Sequence, residues 1–579
     1  MSRNNEVAAR LEEFADLLEA NGVEYKPRAY RRAAENIRGH PAAIAGLATE
    51  GEEAVAAIDA VGDAISSKVV EYIETGEITE LDALRAELPV EMDALTRIEG
   101  VGPKTVGTLY DALGIRTLDD LEAAADAGEI QEVKGFGAKT EANIRDGIEF
   151  ARQASQRQLL GTALPRGEAV RSSLSEVDAV TRCELAGSLR RFRPTIGDVD
   201  VLVGSTEPEG VLDAFTDWRE TATVIEAGTS KASIRIEGAR VDLRVVDPGE
   251  FGAALQYFTG SKDHNVTLRN RAIDRDLKMN EYGVFDVSDV ADPDGDQRAG
   301  ERVAGETEAG MYEALDLPWL PPELREDRGE IDAAAADSLP DLLTTEDVSG
   351  DLHLHTAWSD GTNTIAEMIE GAAAFGHEYI CVTDHATGPG TVAGTGLDDE
   401  ELRDQIDALR DAAVDADIDV FAGVEANIGT DGSVSVGDDL LSALDVVVAS
   451  PHAGLDGDGT DRLVSASEHP EVDIIGHPTG RRLNVRSGLD VDVERLASAA
   501  ADAGTALEIN ANPQRLDLDG RAVQTALEQG ATITINTDAH QPANYELLRY
   551  GVHTARRGWA EPADVLNTRD ADGIRSFVD

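Results

Sequence analysis

The second half of the chain alternates between short apolar segments and segments whose apolar residues recur at helical spacing. Seven apolar segments end in polar side chains, at 351–355, 379–385, 420–425, 446–452, 472–477, 506–510 and 532–540. Alternating strands and helices favour a parallel sheet, and a closed parallel sheet gathers its functional residues at the carboxyl ends of its strands. The pattern predicts an α/β barrel with its site at one mouth.

Histidine is concentrated in this pattern. Six of the 11 histidines belong to it, together with the carboxylates of Asp360, Glu425 and Asp538. Imidazole and carboxylate groups at an open site suit zinc or manganese, which lowers the pKa of a bound water towards about 7. The clustering predicts a metal centre at the barrel mouth. Histidines outside the pattern, which we interpret as structural or exposed, include His40, His377, His469 and His553.

The first half of the chain has a different organisation. Its apolar residues recur at helical spacing in 7–18, 28–37 and 64–73, and residues 91–150 predict shorter helices broken by Gly pairs. From about residue 175 the period changes to two, in 199–203, 233–236 and 241–246, which predicts a sheet. With 579 residues in all, the chain is too long for one ordinary core and should form several units.

Three carboxylates and a Gly-Ser element mark the predicted sheet. Asp198 and Asp200 lie two residues apart on one strand, so both side chains emerge on the same face, and Asp242 lies on another strand with the same alternation. Converging carboxylates repel one another unless cations hold them. Two magnesium ions about 3.5–4 Å apart would hold them and clamp an in-line phosphoryl displacement. Ser188 and Arg191 offer a hydroxyl and a fork of donors to phosphate.

Two Gly-x-Gly turns open predicted helices upstream of the sheet, and Gly62 marks a weaker third turn. Free amides at the start of a helix bind phosphate oxygens. The turns resemble helix-hairpin-helix elements, which hold the DNA backbone without reading its sequence. The predicted DNA-binding residues of the two main turns are Gly100, Gly102, Lys104, Gly135, Gly137 and Lys139.

The sheet region resembles the nucleotidyltransferase palm of the family X DNA polymerases, and the likeness continues through 256–261, 264–269 and 280–283. It implies that the three carboxylates are catalytic and bind metal, with Asp242 activating the primer hydroxyl. It also implies a template contact by Arg269. Phe192 departs from the family pattern, which has Gly after the Arg pair. The nucleotide-binding residues implied by the resemblance are Ser188, Arg191, Arg166, Tyr257, Phe258, Gly260 and Asn265.

The first helices resemble the lyase domain of polymerase beta in 27–34. This likeness implies that Lys68 is catalytic and forms a Schiff base with the open sugar of an abasic site. Lys68 is one of only eight lysines, and Arg cannot form an imine. An exposed helical lysine is also an ordinary solvated charge, so both interpretations stay open. Supporting residues for a 5′ phosphate are Lys26, Tyr30 and Arg31.

The predicted barrel resembles the PHP domain, a distorted seven-stranded barrel that holds up to three metal ions. The intact ligand set implies a working metal-dependent phosphoesterase with 3′-5′ exonuclease activity, and the likeness extends to AP endonuclease or 3′-phosphatase activity. Arg515 is a further candidate for phosphate contact. The nine ligand positions are filled by His353, His355, Asp360, His385, Glu425, His452, His477, Asp538 and His540.

The predicted fold is therefore multidomain, α+β and α/β, with a helix-hairpin-helix N-terminal region, a mixed-sheet palm and a distorted (βα)7 barrel. The predicted domains are a helical lyase-like domain at 1–90, a helical DNA-binding domain at 91–160, the palm at 161–250, a nucleotide-selection subdomain at 251–320, a linker at 321–349 and the PHP domain at 350–579.

The net charge of −61 would ordinarily argue against a DNA partner, because phosphates are repelled. Arg accounts for 43 of the 51 basic residues, a usage that suits a cytoplasm with molar salt, where the Debye length is about 3 Å. We expect DNA to be held there by backbone amides, Arg forks, stacking and metal ions. The two distant cysteines, Cys183 and Cys381, exclude a disulfide framework. We also expect no membrane association and a cytoplasmic monomer.

These features predict a DNA repair polymerase that fills short gaps and processes 3′ ends, with gapped or primed DNA and deoxynucleoside triphosphates as substrates. Its expected cofactors are Mg²⁺ or Mn²⁺ at the palm and Zn²⁺ or Mn²⁺ at the PHP site. An alternative is a PHP nuclease whose polymerase core mainly binds DNA. A binding scaffold and an RNA-tailing enzyme are further alternatives; two complete ligand sets count against the scaffold, and segment 256–261 with the hairpins counts against RNA tailing.

Overall fold

The computed structural model describes the chain outside residues 1–2, 24–25, 39–43, 59, 77, 97, 99–100, 139, 143, 146–147, 149–156, 237–238, 294–295, 392–394 and 579. The chain is divided into two compact units. One comprises residues 1–158, 212–242 and 262–303, and the other comprises 159–211, 243–261 and 304–579. The boundary at residue 242 falls inside the strand Ala239–Val246.

The N-terminal region is helical, as its apolar spacing predicts. Leu11, Phe14 and Val69 are fully buried in a common core, and helices end at Gly76, Gly114 and Gly128 in the left-handed conformation that glycine tolerates. The helices are Arg3–Ala20, Lys26–Arg38, Ile44–Glu50, Glu52–Ala56, Asp63–Thr75, Thr79–Glu87, Met92–Leu95, Pro103–Leu113 and Leu118–Ala127, with a 3-10 turn at Ile130–Glu132.

The middle of the chain forms a mixed sheet. Alternate residues of Ala239–Val246 are buried, which is the period-two pattern expected from sequence. The five strands lie in the order Arg182–Leu185, Val199–Gly204, Ala239–Val246, Lys231–Ile236 and Thr223–Ala227. Smaller sheets comprise Gln158–Leu159 with Thr195–Ile196, and Glu301–Ala304 with Gly283–Asp286 and Leu277–Asn280. The helices are Leu160–Ser175, Gly187–Arg190, Pro208–Thr216, Phe251–Thr259, Lys262–Ile273 and Glu308–Glu313, with a 3-10 turn at Pro248–Glu250.

The C-terminal region is a seven-stranded parallel barrel, which confirms the predicted fold class. Neighbouring strands pair in sequence order, and Leu354 bridges to Ala539 to bring the first strand beside the last. The strands are Gly350–Leu354, Tyr379–Val382, Asp419–Asn427, Val446–Ser450, Ile474–Ile475, Ala506–Asn510 and Ile533–Asn536. The helices are Ile365–Phe375, Asp399–Ala413, Asp438–Leu441, Thr460–Ser467, Val493–Ala503, Gly520–Glu528, Leu548–Arg557 and Ala571–Val578, with 3-10 segments Pro542–Leu547, Pro562–Asp564 and Leu566–Thr568.

The segment expected to be a linker, 321–349, contains short helices and buried charges. Arg325 is fully buried and donates to Glu308 Oε1 at 2.6 Å and to the Leu320 carbonyl. Glu323 and Glu330 are also buried. The ordered elements are Pro322–Leu324, Glu330–Ala335 and Thr345–Asp347. Among the described residues, no helix is both long and apolar enough to span a bilayer.

Candidate metal centres

The carboxyl ends of the barrel strands bring the predicted metal-binding side chains together around Glu425. Its Oε1 atom lies 3.4 Å from His353 Nε2, 3.3 Å from His452 Nε2 and 3.0 Å from His477 Nε2. Its Oε2 atom lies 2.7 Å from His385 Nδ1. One carboxylate therefore faces four imidazoles that come from different strand ends.

A second group surrounds Asp360. Its oxygens lie 3.5 Å from His385 Nε2, 3.4 Å from His540 Nε2 and 3.8 Å from His355 Nδ1. Asp538 Oδ1 lies 3.2 Å from His355 Nε2, so the nine predicted ligands form one continuous cluster. The sets whose ligand atoms lie within 4.8 Å of one another are His355, Asp360, His385 and His540; His353, His355 and Glu425; and His385, Glu425 and His452.

The cluster fits metal ions because its buried polar atoms lack hydrogen-bond partners. Both carboxylate oxygens of Glu425 and both ring nitrogens of His355 and His452 are buried without a hydrogen bond among the described residues. Each such atom reduces the free energy of unfolding by about 1–3 kcal/mol unless a hydrogen bond or a bound cation satisfies it. His477 and Asp538 also adopt positive φ angles of 24° and 54°, an uncommon backbone for residues other than Gly. Imidazole and carboxylate donors in this arrangement suit zinc or manganese.

The charges of the cluster are strongly coupled. Burial opposes ionisation of Glu425, but the surrounding imidazoles of His385, His452 and His353 hold its pKa well below the usual range. Burial also opposes protonation of His385, yet Glu425 and Asp360 raise its pKa to about 10. At His477 burial dominates and lowers the pKa to about 4. The Glu425 carboxylate is therefore ionised near neutral pH, as a metal ligand must be.

Sequence reasoning missed the buried acids that orient the ligands. Glu508 is fully buried, lies 2.7 Å from His353 Nδ1 through Oε1, and accepts the backbone N–H of His477 at 2.7 Å through Oε2. Asp384 accepts the N–H and hydroxyl of Thr356 at 2.8 and 2.6 Å. Such partners fix the orientation of metal-binding imidazoles. The signal in the sequence was an acidic residue between Leu507 and Ile509, inside the buried strand Ala506–Asn510.

Arg515 lies beside this cluster, with its Nε atom 3.7 Å from Asp538 Oδ2. The other barrel histidines lie elsewhere. His377 is buried against Phe375 and Tyr545, and His469 lies 3.5 Å from Asp438. His553 stacks on Phe192, and His40 falls outside the described residues.

The mixed sheet carries the second set of carboxylates. Asp198, Asp200 and Asp242 each offer an oxygen atom, and these atoms lie within 4.8 Å of one another. Asp242 accepts both the Ser233 hydroxyl and the Arg240 guanidinium, the latter at 2.9 Å to each oxygen. Three acids at this spacing suit divalent cations with oxygen ligands.

Gly187 leaves room for Asp200. It has a φ of 62°, and a Cβ atom at this position would collide with the Asp200 carboxylate. The Ala186 N–H donates to the Asp200 carbonyl at 2.9 Å. The Gly-Ser element therefore packs directly on a predicted metal ligand, and the half-buried Ser188 follows it.

The predicted phosphate residue Arg191 is engaged by acidic and carbonyl groups. Its Nε atom donates to Glu326 Oε1 at 3.0 Å, and its guanidinium also donates to the Thr259 carbonyl. Arg557 donates to the Arg191 carbonyl at 2.7 Å and to the same Glu326 carboxylate at 3.1 Å. Arg191 therefore forms a structural ion pair, and its phosphate contact stays a prediction. Arg166 is half-buried in helix Leu160–Ser175.

The remaining predicted nucleotide and template residues lie on two helices. Tyr257 and Phe258 make an edge-on ring contact at 5.1 Å near the end of Phe251–Thr259, and Gly260 follows with a φ of 68°. Asn265 and Arg269 are half-buried on Lys262–Ile273. Their contacts with substrate stay predictions.

The Gly turns and Lys68 belong to the helical region. Gly102 caps Pro103–Leu113, Lys104 is exposed, and Gly135 and Gly137 lie in an exposed turn, whereas Gly100 and Lys139 fall outside the described residues. Lys68 Nζ lies 2.7 Å from Glu80 and 5.4 Å from the Phe14 ring centroid. Burial favours the neutral amine, but Glu80 and Tyr30 raise the pKa of Lys68.

Known families match most of these regions. The matches are a helix-hairpin-helix domain at residues 2–78, a SAM-like helix-hairpin-helix tandem at 92–149, the DNA polymerase beta thumb at 254–326 and the PHP domain at 351–512. The DNA polymerase/3'-5' exonuclease PolX of Bacillus subtilis is 33% identical over 98% of both chains. The chain belongs to the PHP-containing family X DNA polymerases. This confirms the family and the fold class predicted from sequence.

Other relatives match parts of this family X chain. DNA polymerase lambda of Rattus norvegicus is 26% identical over 56% of each chain. A probable phosphatase of Caldanaerobacter subterraneus is 29% identical over 33% of this chain and 75% of its own length. Membership of family X and the PHP match imply the use of divalent metal ions.

Replacing Gly187 tests the packing at the family X palm. Gly187→Ala should displace the Asp200 carboxylate and reduce nucleotide addition by on the order of 10²-fold, because misplacement by about 1 Å has costs of that size. Primer extension under single-turnover conditions measures the loss. Gly210→Ala, where a Cβ meets open space, is the control. Equal activity of the two variants would contradict the assignment.

Replacing Glu508 tests the support of the barrel ligands. Glu508→Gln keeps the shape but removes the charge paired with His353, so Mn²⁺ affinity should fall about 10–100-fold. Titration calorimetry measures this, with the exposed Glu346→Gln as the control. An unchanged affinity, with unchanged circular dichroism, would show that Glu508 does not orient a metal ligand.

Proposed function

We propose that the chain is a DNA polymerase that fills short gaps during repair and that its PHP barrel removes nucleotides from 3′ ends. The observation that carries this proposal is the presence, in one family X chain, of two separate groups of side chains that could hold metal ions. The likeness to PolX along the whole chain supports both activities, and the likeness to polymerase lambda supports gap filling.

At the palm, Asp198, Asp200 and Asp242 would hold Mg²⁺ or Mn²⁺. The bound ions supply charge neutralisation at the attacking and leaving oxygens. Arg240 and Ser233 fix Asp242 in one orientation, which suits a carboxylate that receives the primer hydroxyl proton. Ser188 is proposed to donate to phosphate oxygens through its amide and hydroxyl. The residues proposed to select the incoming nucleotide are Tyr257, Phe258 and Asn265.

At the barrel, the nine ligands would hold up to three Zn²⁺ or Mn²⁺ ions. The bound ions supply a Lewis acid and an activated water for phosphodiester hydrolysis. Glu508 and Asp384 orient the ligand-bearing segments, and Arg515 is placed to contact a phosphate oxygen. Removal of a 3′-terminal nucleotide is the expected reaction, with AP endonuclease and 3′-phosphatase activities as related hydrolyses at the same site.

We also propose a cellular environment and an oligomeric state for the enzyme. A net charge of −61 with 43 Arg and eight Lys supports a monomer that works in a salt-rich cytoplasm. The helix-hairpin-helix turns, with Gly102, Lys104, Gly135 and Gly137, would bind DNA through backbone amides that need little net positive charge. We also propose the six domain limits given from the sequence.

A labelled 3′ end on a one-nucleotide-gapped duplex, followed in molar KCl with Mn²⁺, tests both activities. Extension by one nucleotide is expected with deoxynucleotides, and shortening is expected without them. Asp200→Ala should reduce extension by about 10³-fold or more and spare shortening, because metal positioning supplies most phosphoryl-transfer catalysis. His355→Ala should do the converse.

The outcomes of this assay separate the alternatives. Shortening with or without deoxynucleotides would favour the PHP nuclease whose polymerase core mainly binds DNA. An unchanged end, on protein shown to be folded in that salt, would favour a scaffold. Loss of both activities in either variant would contradict two independent sites.

The lyase proposal has its own test at Lys68. Because Glu80 raises the pKa of Lys68, Glu80→Gln should lower it and leave more neutral amine at about pH 7.5, a pH below the ordinary pKa of lysine. Borohydride trapping of the Schiff base on an incised abasic duplex should then rise several-fold, while Lys68→Arg should abolish it. Glu87→Gln on the same helix is the control. Undiminished trapping by Lys68→Arg would assign the chemistry to another amine.

A further inference from the structure

Two neighbouring loops at the barrel mouth carry arginines. The first, which we name the rim loop, comprises residues 479–489 and follows the fifth strand, Ile474–Ile475, and the ligand His477. The second comprises residues 511–517 and follows the sixth strand, Ala506–Asn510. Both loops leave the carboxyl ends of their strands, which is the end of the barrel that carries the metal-binding cluster.

The charge of these loops is opposite to that of the chain. The whole chain has 112 acidic and 51 basic residues, yet residues 476–489 contain Arg481, Arg482 and Arg486 and no acidic residue. Residues 511–516 add Arg515 and again no acidic residue. A positive segment in so acidic a chain indicates a surface that meets an anion.

Hydrogen bonds close the rim loop on itself and tie it to the second loop. Arg482 and Arg486 exchange backbone hydrogen bonds at 3.0 and 2.8 Å, closing a tight turn. The Leu483 N–H donates to the Gln514 carbonyl at 2.8 Å, and the Arg482 guanidinium donates to Gln514 Oε1 at 2.7 Å. Because the turn is fastened to the second loop, its guanidinium groups are presented in a fixed place and need little ordering on binding.

The arginines differ in their partners. Arg481 pairs with Asp519 and donates to the Arg515 carbonyl, so its guanidinium stabilises the contact between the two loops. Arg515 contacts the ligand Asp538 at 3.7 Å. Arg482 and Arg486 are exposed and form no ion pair within the described part of the chain. Partial burial lowers the pKa of Arg486, and the nearby positive charges of Arg515 and Arg482 lower it further. Two charges are therefore available beside the metal centre.

We propose that Arg482, Arg486 and Arg515 bind the phosphodiester backbone of the DNA strand whose 3′ end enters the barrel. The proposal rests on the exonuclease activity proposed above and names the binding site for its substrate. Arg515, beside Asp538, contacts the phosphate nearest the metal ions, and the rim turn contacts phosphates further from the 3′ end. Guanidinium forks suit phosphate oxygens because they can form two parallel hydrogen bonds to one phosphate. Val485, 73% exposed at the tip of the turn, offers an apolar contact to a sugar or base.

The test compares a long and a short substrate on the full chain. The double variant Arg482→Ala with Arg486→Ala removes both rim arginines. For an oligonucleotide of about 12 nucleotides, its KM should rise about 100-fold with kcat unchanged, because each lost charged hydrogen-bonding group costs about tenfold. Hydrolysis of bis(p-nitrophenyl) phosphate, which has no further phosphates, should be unchanged. Arg482→Lys with Arg486→Lys should give an intermediate KM, because Lys keeps the charge and loses the fork.

The matched control is Arg575→Ala. Arg575 pairs with Asp419 at the start of a barrel strand, so this variant makes the same kind of charge change at the opposite end. An unchanged KM for the oligonucleotide in the double variant, or an equal loss on both substrates, would overturn the proposal. A change equal to that of Arg575→Ala would also overturn it.

A second readout does not depend on hydrolysis. An oligonucleotide with a photoreactive group near its 3′ end should crosslink within residues 479–489 or 511–517, as mapped by mass spectrometry, and the double Ala variant should lose this crosslink. If the wild-type chain hydrolyses neither substrate but gives the crosslink, the proposed exonuclease fails and the binding site stands. Crosslinks confined to other regions would overturn the binding site.

Discussion

The fully buried carboxylate of Glu425 is the constraint on which the barrel depends. Four imidazole nitrogens lie within 3.4 Å of its oxygens, yet neither oxygen has a hydrogen bond among the described residues. A buried group of this kind destabilises a protein unless a cation or donor satisfies it. The strand ends nevertheless hold it in place, and His477 and Asp538 adopt uncommon backbone conformations to do so. Such strain is typical of sites preserved for function.

The palm also brings carboxylates close together, in this case on a sheet. Its three carboxylates converge from neighbouring strands, and Arg240 and Ser233 partly offset the repulsion at Asp242. The adjacent arginines form ion pairs with glutamates: Arg190 pairs with Glu308, and Arg191 pairs with Glu326. In this acidic chain, arginines are thus often neutralised by buried acids. The two exposed arginines of the rim turn form no such ion pair in the part of the chain that the structure describes, which is why they indicate a ligand.

Much of this arrangement could be predicted from the sequence. The seven barrel strands were predictable because apolar runs of strand length alternate with helices. Nearly all the proposed ligands were predictable because they follow such a run. Asp360 is the exception, since it lies in a turn beyond the strand Gly350–Leu354. The palm carboxylates were predictable from their spacing of two. The ion pair of Arg191 with Glu326 could not be predicted, because its partners lie 135 residues apart and no local sequence pattern links them. Likewise, 321–349 has the composition of a linker, and only distant charges such as Glu308 explain why Arg325 is buried there.

The proposed function requires two separate metal-dependent sites on one chain. Anomalous diffraction from crystals soaked in Mn²⁺ tests this requirement, because each bound ion gives a peak whose ligands can be read from the map. We expect peaks among Asp198, Asp200 and Asp242 and further peaks within the nine-ligand barrel cluster. Peaks in only one of these places, with the other set of side chains well ordered and unoccupied at saturating Mn²⁺, would contradict the presence of two sites.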